Sequence, residues 1–427
     1  MKDLLIIYLI ICLGYFPTRG YFSYQGLFVL LVGFILLLLF YFKGKKEKEE
    51  EKEIIVVGKI VLTVLILLNL AFDSGLFSHD GILEFLEKVN YFICFFAVAF
   101  SFDFSFLGKG EVIKRNWKKI LLILVFINKF LVIFSSPEPP IDVFYILKEA
   151  PKYLVAGENP YSVSFTKIYK NYESNYFAYW PGAFLVVAPF SVVFSDPRLL
   201  FIISDFFVFL IFKKLGIKYG ELLGLLYLFT PFGLYLLENS WINPFNFFLI
   251  AALIYSLVKN KRKRLRPVII GVLMSIQFHM GLFIPLYYKL TKRIKEILMG
   301  VGVTFLIVLP FLIWNFNDFY YDTVLTWVIK PSVVPIPYES ALNINAVFIN
   351  LFDWQLPNIF KIFGFGYVYL MIFLKMKKNV TSFLIGSSLV FFGLNLFGTQ
   401  AFINYYYFVV SLILLGICTY SIPAENS

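Results

Sequence analysis

The chain has 427 residues, of which 60% are hydrophobic and 20% aromatic, and its mean hydropathy is +0.79. A soluble domain is about 45–50% apolar and about 25% charged, whereas only 15% of this chain is charged. A water-soluble globular fold is therefore excluded. Three cysteines in apolar runs do not predict a disulfide framework, and two histidines are too few for a histidine-built metal site. We predict an all-α polytopic membrane protein with no cofactor; a divalent metal stays open but has no support in the sequence.

Twelve apolar runs predict membrane-spanning helices, because a bilayer core of about 30 Å requires about 17–25 apolar residues. Several runs are short, and flanking aromatic and lysine side chains are expected to extend them. In chain order the predicted spans lie near Leu4–Phe16, Gly26–Phe42, Ile54–Phe72, Tyr91–Leu107, Ile120–Phe134, Leu199–Phe212, Leu222–Leu237, Phe247–Val258, Ile297–Trp314, Phe360–Leu374, Ser382–Leu396 and Tyr405–Cys418.

The net charge of +11 can be interpreted once the basic residues are assigned to the two sides of the membrane. Alternation of the spans places 27 of the 38 basic residues on one side of the membrane. The positive-inside rule makes that side cytoplasmic, together with both termini of a multi-pass protein of the cell membrane. The Lys- and Glu-rich stretch 43–53 is interpreted as a solvated cytoplasmic linker. The charge therefore predicts orientation and gives no support to nucleic-acid binding.

Two apolar segments do not fit simple alternation. If Trp180–Phe194 crossed the membrane, the basic loops after it would face outward, so we predict a short helix that enters from the outer face. Pro267–Leu290 has basic loops at both ends, which predicts two short helices broken around Gln277-Phe278-His279. Such non-crossing segments are tolerated where they are buried in protein or line a cavity.

The two longest external loops are 135–179 and 315–358, and loops of this length are usually functional. In the first, Asp142 precedes an amphipathic stretch that runs to Ala156 and that Gly157 can end, a pattern typical of an interfacial helix. Asp142 has two compatible interpretations: it is the N-cap of this helix, or it is a general base at the membrane surface. External cations available to a phosphate group are Lys148, Lys152, Arg198 and Lys330.

Several further segments of the chain form a recognisable series. In chain order they are Asp142, Gly157-Glu158-Asn159-Pro160-Tyr161, Tyr179-Trp180-Pro181-Gly182-Ala183-Phe184-Leu185, Leu200-Phe201-Ile202-Ile203-Ser204-Asp205, the turn from Asn239 to Asn246, and Thr399-Gln400 through Tyr405-Tyr406-Tyr407-Phe408. This series resembles the GT-C-fold glycosyltransferases, in particular GPI mannosyltransferase I and the bacterial polyprenol-phosphate-mannose-dependent mannosyltransferases. The chain departs from that pattern in having one acid, Asp142, where the GPI enzyme has an Asp-x-Asp pair, and Leu282 where the family often has Lys.

This resemblance implies a GT-C-like module over residues 109–427, preceded by a four-span extension, 1–108. It implies an inverting transfer of a hexose, with mannose as the expected sugar, from a polyprenyl-phosphate donor to a lipid or glycan acceptor on the external face. Asp142 would be the catalytic base. Contacts to substrate are expected from Glu138, Tyr161, Tyr179, Trp180, Arg198, Asp205, Asn246, His279, Lys330 and Gln400.

Two other classes of function stay open at this point. A lipid or oligosaccharide flippase or transporter would also use re-entrant segments and intramembrane acids, but it predicts internal repeats, which the sequence does not show. A structural or assembly subunit would need no external carboxylate. Trp180, Tyr179 and Trp241 could stack on sugars or belong to an interfacial aromatic belt.

Overall fold

The computed structural model describes residues 1–43, 51–72, 76–77, 80–102, 111–165, 167–169, 172–173, 176–216, 218–329 and 338–420. Within these residues the chain is α-helical except for a short antiparallel hairpin, β1 (Lys167–Tyr169) and β2 (Tyr172–Glu173), in which Lys167 lies opposite Glu173. The helices are α1 (Lys2–Tyr15), α2 (Tyr24–Lys43), α3 (Glu51–Ala71), α4 (Gly81–Ser101), α5 (Glu111–Ser135), α6 (Asp142–Val155), α7 (Gly182–Val193), α8 (Arg198–Leu215), α9 (Gly220–Leu228), α10 (Gly233–Glu238), α11 (Asn243–Val258), α12 (Leu265–Ile276), α13 (Phe283–Thr291), α14 (Ile294–Trp314), α15 (Phe316–Tyr320), α16 (Ile344–Phe352), α17 (Asn358–Lys375), α18 (Val380–Phe397) and α19 (Ile403–Thr419).

The helices form two compact units, each assembled from separate stretches of the chain. Unit 1 comprises residues 1–136, 206–236 and 338–427, and unit 2 comprises residues 137–205 and 237–337. The expected boundary at 108/109 lies outside the described residues.

Unit 1 is held by apolar helix packing with a few buried polar links. α1 packs against α2 and α19, and α18 packs against α19 along a face that is almost entirely buried. The hydroxyl of Tyr8 in α1 bonds to Thr230 Oγ1 at 2.8 Å. A second link joins α4 and α5, where Asn90 Nδ2 donates to Asn128 Oδ1 at 2.7 Å.

Unit 2 contains α6, α7, α11 to α15 and the first part of α8. α12 packs along α14, and Thr304 Oγ1 donates to the carbonyl of Gly271 at 3.0 Å. α7 packs against both α6 and α12. The first external loop and the broken helix pair that the sequence singled out therefore belong to one unit.

Most of the predicted helices are present. The amphipathic stretch after Asp142 is α6, Trp180–Phe194 contains the short α7, and Pro267–Leu290 is broken at Gln277, whose backbone is extended (φ −146°, ψ 121°) between α12 and a 3₁₀ turn, Phe278–Leu282. The prediction of one helix over Leu222–Leu237 is wrong, because α9 and α10 are separated by a turn. Pro231 lies in that turn, and a proline removes a helical hydrogen bond and clashes with the preceding turn.

Among the residues that the structure describes, five helices are long and apolar enough to cross a membrane, and a sixth candidate is the pair α7 and α8, which is bent by 112°. Shorter apolar helices are α11, α12 and α19. The chain is accordingly a helical membrane protein. The twelve spans and their orientation stay predictions.

Candidate functional site

Asp142 lies at the start of α6, but it is not the N-cap. The N-cap position is Ile141, whose backbone is extended (φ −131°, ψ 139°), and Asp142 is the first helical residue. Its Oδ1 atom accepts a hydrogen bond from the N–H of Val143 at 2.8 Å. The N-cap interpretation is thus wrong by one residue, although the carboxylate still binds a free N–H of the first turn, where negative charge is favourable.

The electrostatic surroundings of Asp142 differ from those of the other acids near α6. Burial raises the pKa of Asp142 above its usual value, and the hydrogen bonds from the backbone N–H groups of Val143 and of Asp142 itself oppose that rise. Glu138 is paired with Lys148 at 2.9 Å and Glu149 with Lys152 at 3.0 Å. Over the described residues, no cation pairs with Asp142. Asp142 is therefore a desolvated, comparatively basic carboxylate.

Arg198 lies beside this end of α6. It is fully buried, and its guanidinium binds the Asp196 carboxylate, with Nη2 at 2.6 Å from Oδ2. It also lies over the ring of Phe144, 4.9 Å from the ring centroid, and donates to the carbonyl of Pro137 at 3.4 Å. Arg198 thus joins the start of α8 to the start of α6, and its expected contact with a phosphate stays a prediction.

The helices α6 and α7 run antiparallel. Near the end of α7, Ser191 Oγ donates to the carbonyl of Leu147 in the first half of α6, at 2.8 Å. At the other end, the ring of Phe184 near the start of α7 meets Tyr161, which follows α6, with 6.1 Å between centroids. At 1.5 Å per helical residue, Asp142 and the start of α7 lie roughly 15–20 Å apart along the pair. Asp142 and Trp180 therefore do not share one contact site.

The predicted Gly157–Tyr161 and Tyr179–Leu185 segments come together at the start of α7. Gly157 ends α6 with a positive φ of 83°, a conformation that glycine adopts without strain. Asn159 Oδ1 then accepts from the N–H of Tyr161 at 3.1 Å, and the hydroxyl of Tyr161 donates to the carbonyl of Tyr179 at 2.9 Å. These bonds fix the backbone that leads into Trp180.

Trp180, Asn246 and Gln277 meet at the break between α12 and the 3₁₀ turn. The N–H of Trp180 donates to the carbonyl of Ile276 at 3.1 Å, and Asn246 Nδ2 donates to Gln277 Oε1 at 2.7 Å. The Trp180 ring lies 6.4 Å from that of Phe278. We call Trp180, Asn246 and Gln277 the break cluster; three features that were predicted separately converge there.

The break cluster contains two buried polar atoms of opposite hydrogen-bonding character. Over the described residues, neither Trp180 Nε1, a donor, nor Asn246 Oδ1, an acceptor, has a hydrogen-bond partner. Asn246 is fully buried. Because buried polar groups in native proteins are almost always satisfied, this pair of atoms is a place where a ligand or an ordered water is expected.

The remaining predicted residues are dispersed. His279 is half-buried in the 3₁₀ turn, with its ring 5.9 Å from that of Phe278, and Asp205 is buried in α8, about 10 Å along the helix from Arg198. Gln400 belongs to unit 1, in the turn between α18 and α19, and Lys330 lies outside the described residues. Over the part of the chain that the structure describes, no group of three or more His, Cys, Asp or Glu side chains could hold a metal ion.

Sequence reasoning missed Asp322, at the start of a π-helical segment, Tyr321–Ile329. Asp322 is buried, and its Oδ2 atom accepts from the N–H of Phe177 at 2.6 Å. Burial raises its pKa to about 8; the Phe177 N–H opposes this rise, and the nearby Asp318 adds to it. The sequence did offer one signal: Asp322 is an acid among aromatic residues at the start of the second long external loop, and that loop was expected to be functional.

No family model, curated protein or solved structure matches this chain. The resemblance to GT-C enzymes therefore rests on the sequence segments alone.

Proposed function

We propose that this protein is an integral-membrane glycosyltransferase of the GT-C type. It would transfer a hexose, with mannose as the expected sugar, from a polyprenyl-phosphate donor to a lipid or glycan acceptor on the external face of the cell membrane, with twelve spans and cytoplasmic termini. The observation that carries the proposal is Asp142, a carboxylate fixed by Val143, desolvated and without a cationic partner over the described residues.

The proposed reaction needs one base. The acceptor hydroxyl oxygen attacks the anomeric carbon, the bond from that carbon to the phosphate oxygen breaks, and polyprenyl phosphate leaves with the bonding electron pair. Asp142 takes the proton of the hydroxyl, and this direct displacement inverts the anomeric configuration without a covalent intermediate. A raised pKa makes a carboxylate a stronger base, and such general-base help is worth roughly 10²–10⁴-fold in rate.

The surroundings of Asp142 also suit a lipid-borne donor. Val193 and Phe194 follow the part of α7 that contacts α6, and 70% and 63% of their respective surfaces are exposed. Exposed apolar side chains at the end of α7 that contacts the first half of α6 are expected where a polyprenyl chain reaches the site from the bilayer. We place the donor lipid along this end of α7.

One observation favours the second candidate, a lipid or oligosaccharide flippase. Polar side chains lie within the contact between α4 and α5: Asn90 bonds to Asn128, and Lys129 is almost fully buried. Polar residues within spans often mark transport pathways. A flippase would move a fluorescent polyprenyl-phosphate lipid between the leaflets of a proteoliposome without forming a glycosidic bond.

The test is a transfer assay with the purified full chain in lipid nanodiscs. Radiolabelled polyprenyl-phosphate mannose is supplied with a membrane-lipid extract or with manno-oligosaccharides as acceptors, and GDP-mannose replaces it in the control. The proposal predicts a labelled glycan or glycolipid from the polyprenyl donor and none from GDP-mannose. Leaflet exchange in proteoliposomes without any transfer would overturn it in favour of the flippase.

A further inference from the structure

The break cluster offers a binding site that the proposed reaction at Asp142 does not use. Trp180 Nε1 and Asn246 Oδ1 are buried, and neither has a hydrogen-bond partner over the described residues. Leaving a buried donor or acceptor unsatisfied costs about 1–3 kcal/mol for each group. A bound molecule that offers both a hydrogen-bond acceptor and a donor would satisfy the two groups.

The orientation of Asn246 is fixed by its neighbour. Its amide group donates to Gln277 Oε1 at 2.7 Å, so its carbonyl oxygen is the atom left to accept. The backbone of Trp180 is held by its N–H bond to the carbonyl of Ile276, and its ring lies 6.4 Å from that of Phe278. The cluster therefore presents one donor and one acceptor.

A hydroxyl group complements this pair, because its oxygen accepts a hydrogen bond while its O–H donates one. A carboxylate or a phosphate would leave the Asn246 oxygen without a donor, and an ammonium group could not accept from the indole. The Trp180 ring and Phe278 add an apolar surface of the kind on which a sugar ring packs. A sugar hydroxyl thus fits the chemistry better than an ionic group does.

We propose that the break cluster binds a sugar hydroxyl of the acceptor, and that the acceptor is a glycan of several linked sugars. The second part rests on the proposed function: if transfer takes place at Asp142, the cluster lies roughly 15–20 Å away along α6 and α7, farther than one sugar ring reaches. The sugar bound at Trp180 is then remote from the reacting hydroxyl, which predicts an oligosaccharide or glycolipid acceptor.

Binding is tested without turnover, in the full chain labelled with ¹⁵N-tryptophan and placed in lipid nanodiscs. The indole signal of Trp180 is assigned among the six tryptophans by its loss in Trp180→Phe. The probes are methyl α-mannoside, methyl α-glucoside and linear manno-oligosaccharides. We expect one or more of these sugars to shift the Trp180 signal, and we expect oligosaccharides to bind more tightly than the monosaccharide.

A variant of the cluster and a matched control outside it make the test specific. Asn246→Leu removes the acceptor, and affinity is expected to fall about three- to tenfold, as for the loss of one hydrogen bond between neutral groups. Asn116→Leu makes the same substitution outside the cluster, in α5, where Asn116 Nδ2 donates to the carbonyl of Val112 at 3.0 Å, and this variant should bind like the wild type. Circular dichroism and gel filtration check that both variants are folded.

The outcomes separate this proposal from the proposed function. If no sugar shifts the Trp180 signal, or if Asn246→Leu binds as well as the wild type, the sugar site is wrong and a bound water satisfies the two atoms. If sugars bind but polyprenyl-phosphate mannose yields no product, the sugar site stands and the transferase proposal fails. Equal affinity for monosaccharide and oligosaccharide would overturn the inference of an extended acceptor.

Discussion

Arg198 and Asp196 form an ion pair in which the arginine side chain is fully buried and the aspartate side chain is 16% exposed, with Nη2 and Oδ2 2.6 Å apart. The same guanidinium lies over Phe144 in the first turn of α6. Removing one partner of such a pair leaves a buried charge uncompensated, which typically costs about 3–5 kcal/mol. The pair therefore has a structural role whether or not Arg198 also meets a phosphate.

We expect Arg198→Met to lower the free energy of unfolding by about 3–5 kcal/mol, measured by thermal or denaturant unfolding in detergent. The matched control is Lys152→Met, which removes a partly exposed pair with Glu149 and is expected to change stability by no more than about 1 kcal/mol. Unchanged stability of Arg198→Met, with a raised KM for the donor, would show instead that Arg198 is a ligand for substrate.

Asp322 predicts a pH-dependent stability. Its pKa is about 8 in the folded protein against an ordinary value of 3.8, so between these pH values the folded state holds a proton that the unfolded state has lost. The contribution of Asp322 to the free energy of unfolding is fully present below pH 3.8 and is lost as the pH rises through about 8. We expect Asp322→Asn, which stays neutral and can still accept from Phe177, to be more stable than the wild type at high pH, by an amount on the order of a few kcal/mol.

Melting curves of the wild type and of Asp322→Asn across this pH range check that expectation, with Asp318→Asn as the control for a neighbouring acid. The difference between Asp322→Asn and the wild type should shrink toward acid pH. A constant difference at every pH would mean that Asp322 does not titrate in this window.

The close approach of α7 and α12 predicts an intolerant glycine. A Cβ atom at Gly182 would clash with Ser275 Oγ and would lie 2.7 Å from the carbonyl carbon of Ser275. We expect Gly182→Ala to destabilise the protein by about 1–3 kcal/mol, as other overpacked contacts do. Because backbone atoms also obstruct the Cβ atom, adding Ser275→Ala should not restore stability.

Gly302→Ala is the matched control for this prediction. Gly302 lies in the interior of α14 and is exposed, and a Cβ atom added there would meet no other atom of the described chain within 4 Å. Alanine is favoured over glycine in a helix, so the control is expected to be neutral or stabilising. Full recovery of the Gly182→Ala variant by Ser275→Ala would show that the backbones can separate without cost.

The pKa of Asp142 predicts the acid side of the pH profile. A base acts in its ionised form, so activity falls as pH drops through its pKa, and burial raises that pKa above its usual value. The acid limb of kcat/KM should accordingly lie at a higher pH than that of an exposed aspartate. Glu138→Gln should not change the pH of this acid limb, because Glu138 forms a separate ion pair with Lys148, which lowers the pKa of Glu138. A limb that moves in Glu138→Gln would mean that the base is not Asp142.

The sequence predicted the parts of this structure that depend on local patterns. The helix after Asp142, the short helix after Trp180 and the break at Gln277 were predicted because periodicity and charge sidedness report on neighbouring residues. The N-cap was assigned one residue too late, since an Asp in the first turn makes a similar hydrogen bond. A sequence pattern locates the end of a helix only to within about one or two residues.

Contacts between distant residues were beyond sequence reasoning. Phe177 and Asp322 are 145 positions apart, and Asn246 and Gln277 are 31 apart; neither pair has a local signature. The separation of Asp142 from the break cluster also follows only from the antiparallel packing of α6 and α7. The sequence identified these residues, but it did not show that Asp142 and the break cluster lie apart.

The central claim, that Asp142 is the catalytic base, is tested most directly by Asp142→Asn in the transfer assay. The asparagine keeps an oxygen for the Val143 N–H and removes only the basicity, so folding should be retained. We predict that kcat for mannose transfer from the polyprenyl donor falls roughly 10²–10⁴-fold while Glu138→Gln stays active. Transfer by Asp142→Asn at the wild-type rate would contradict the assignment.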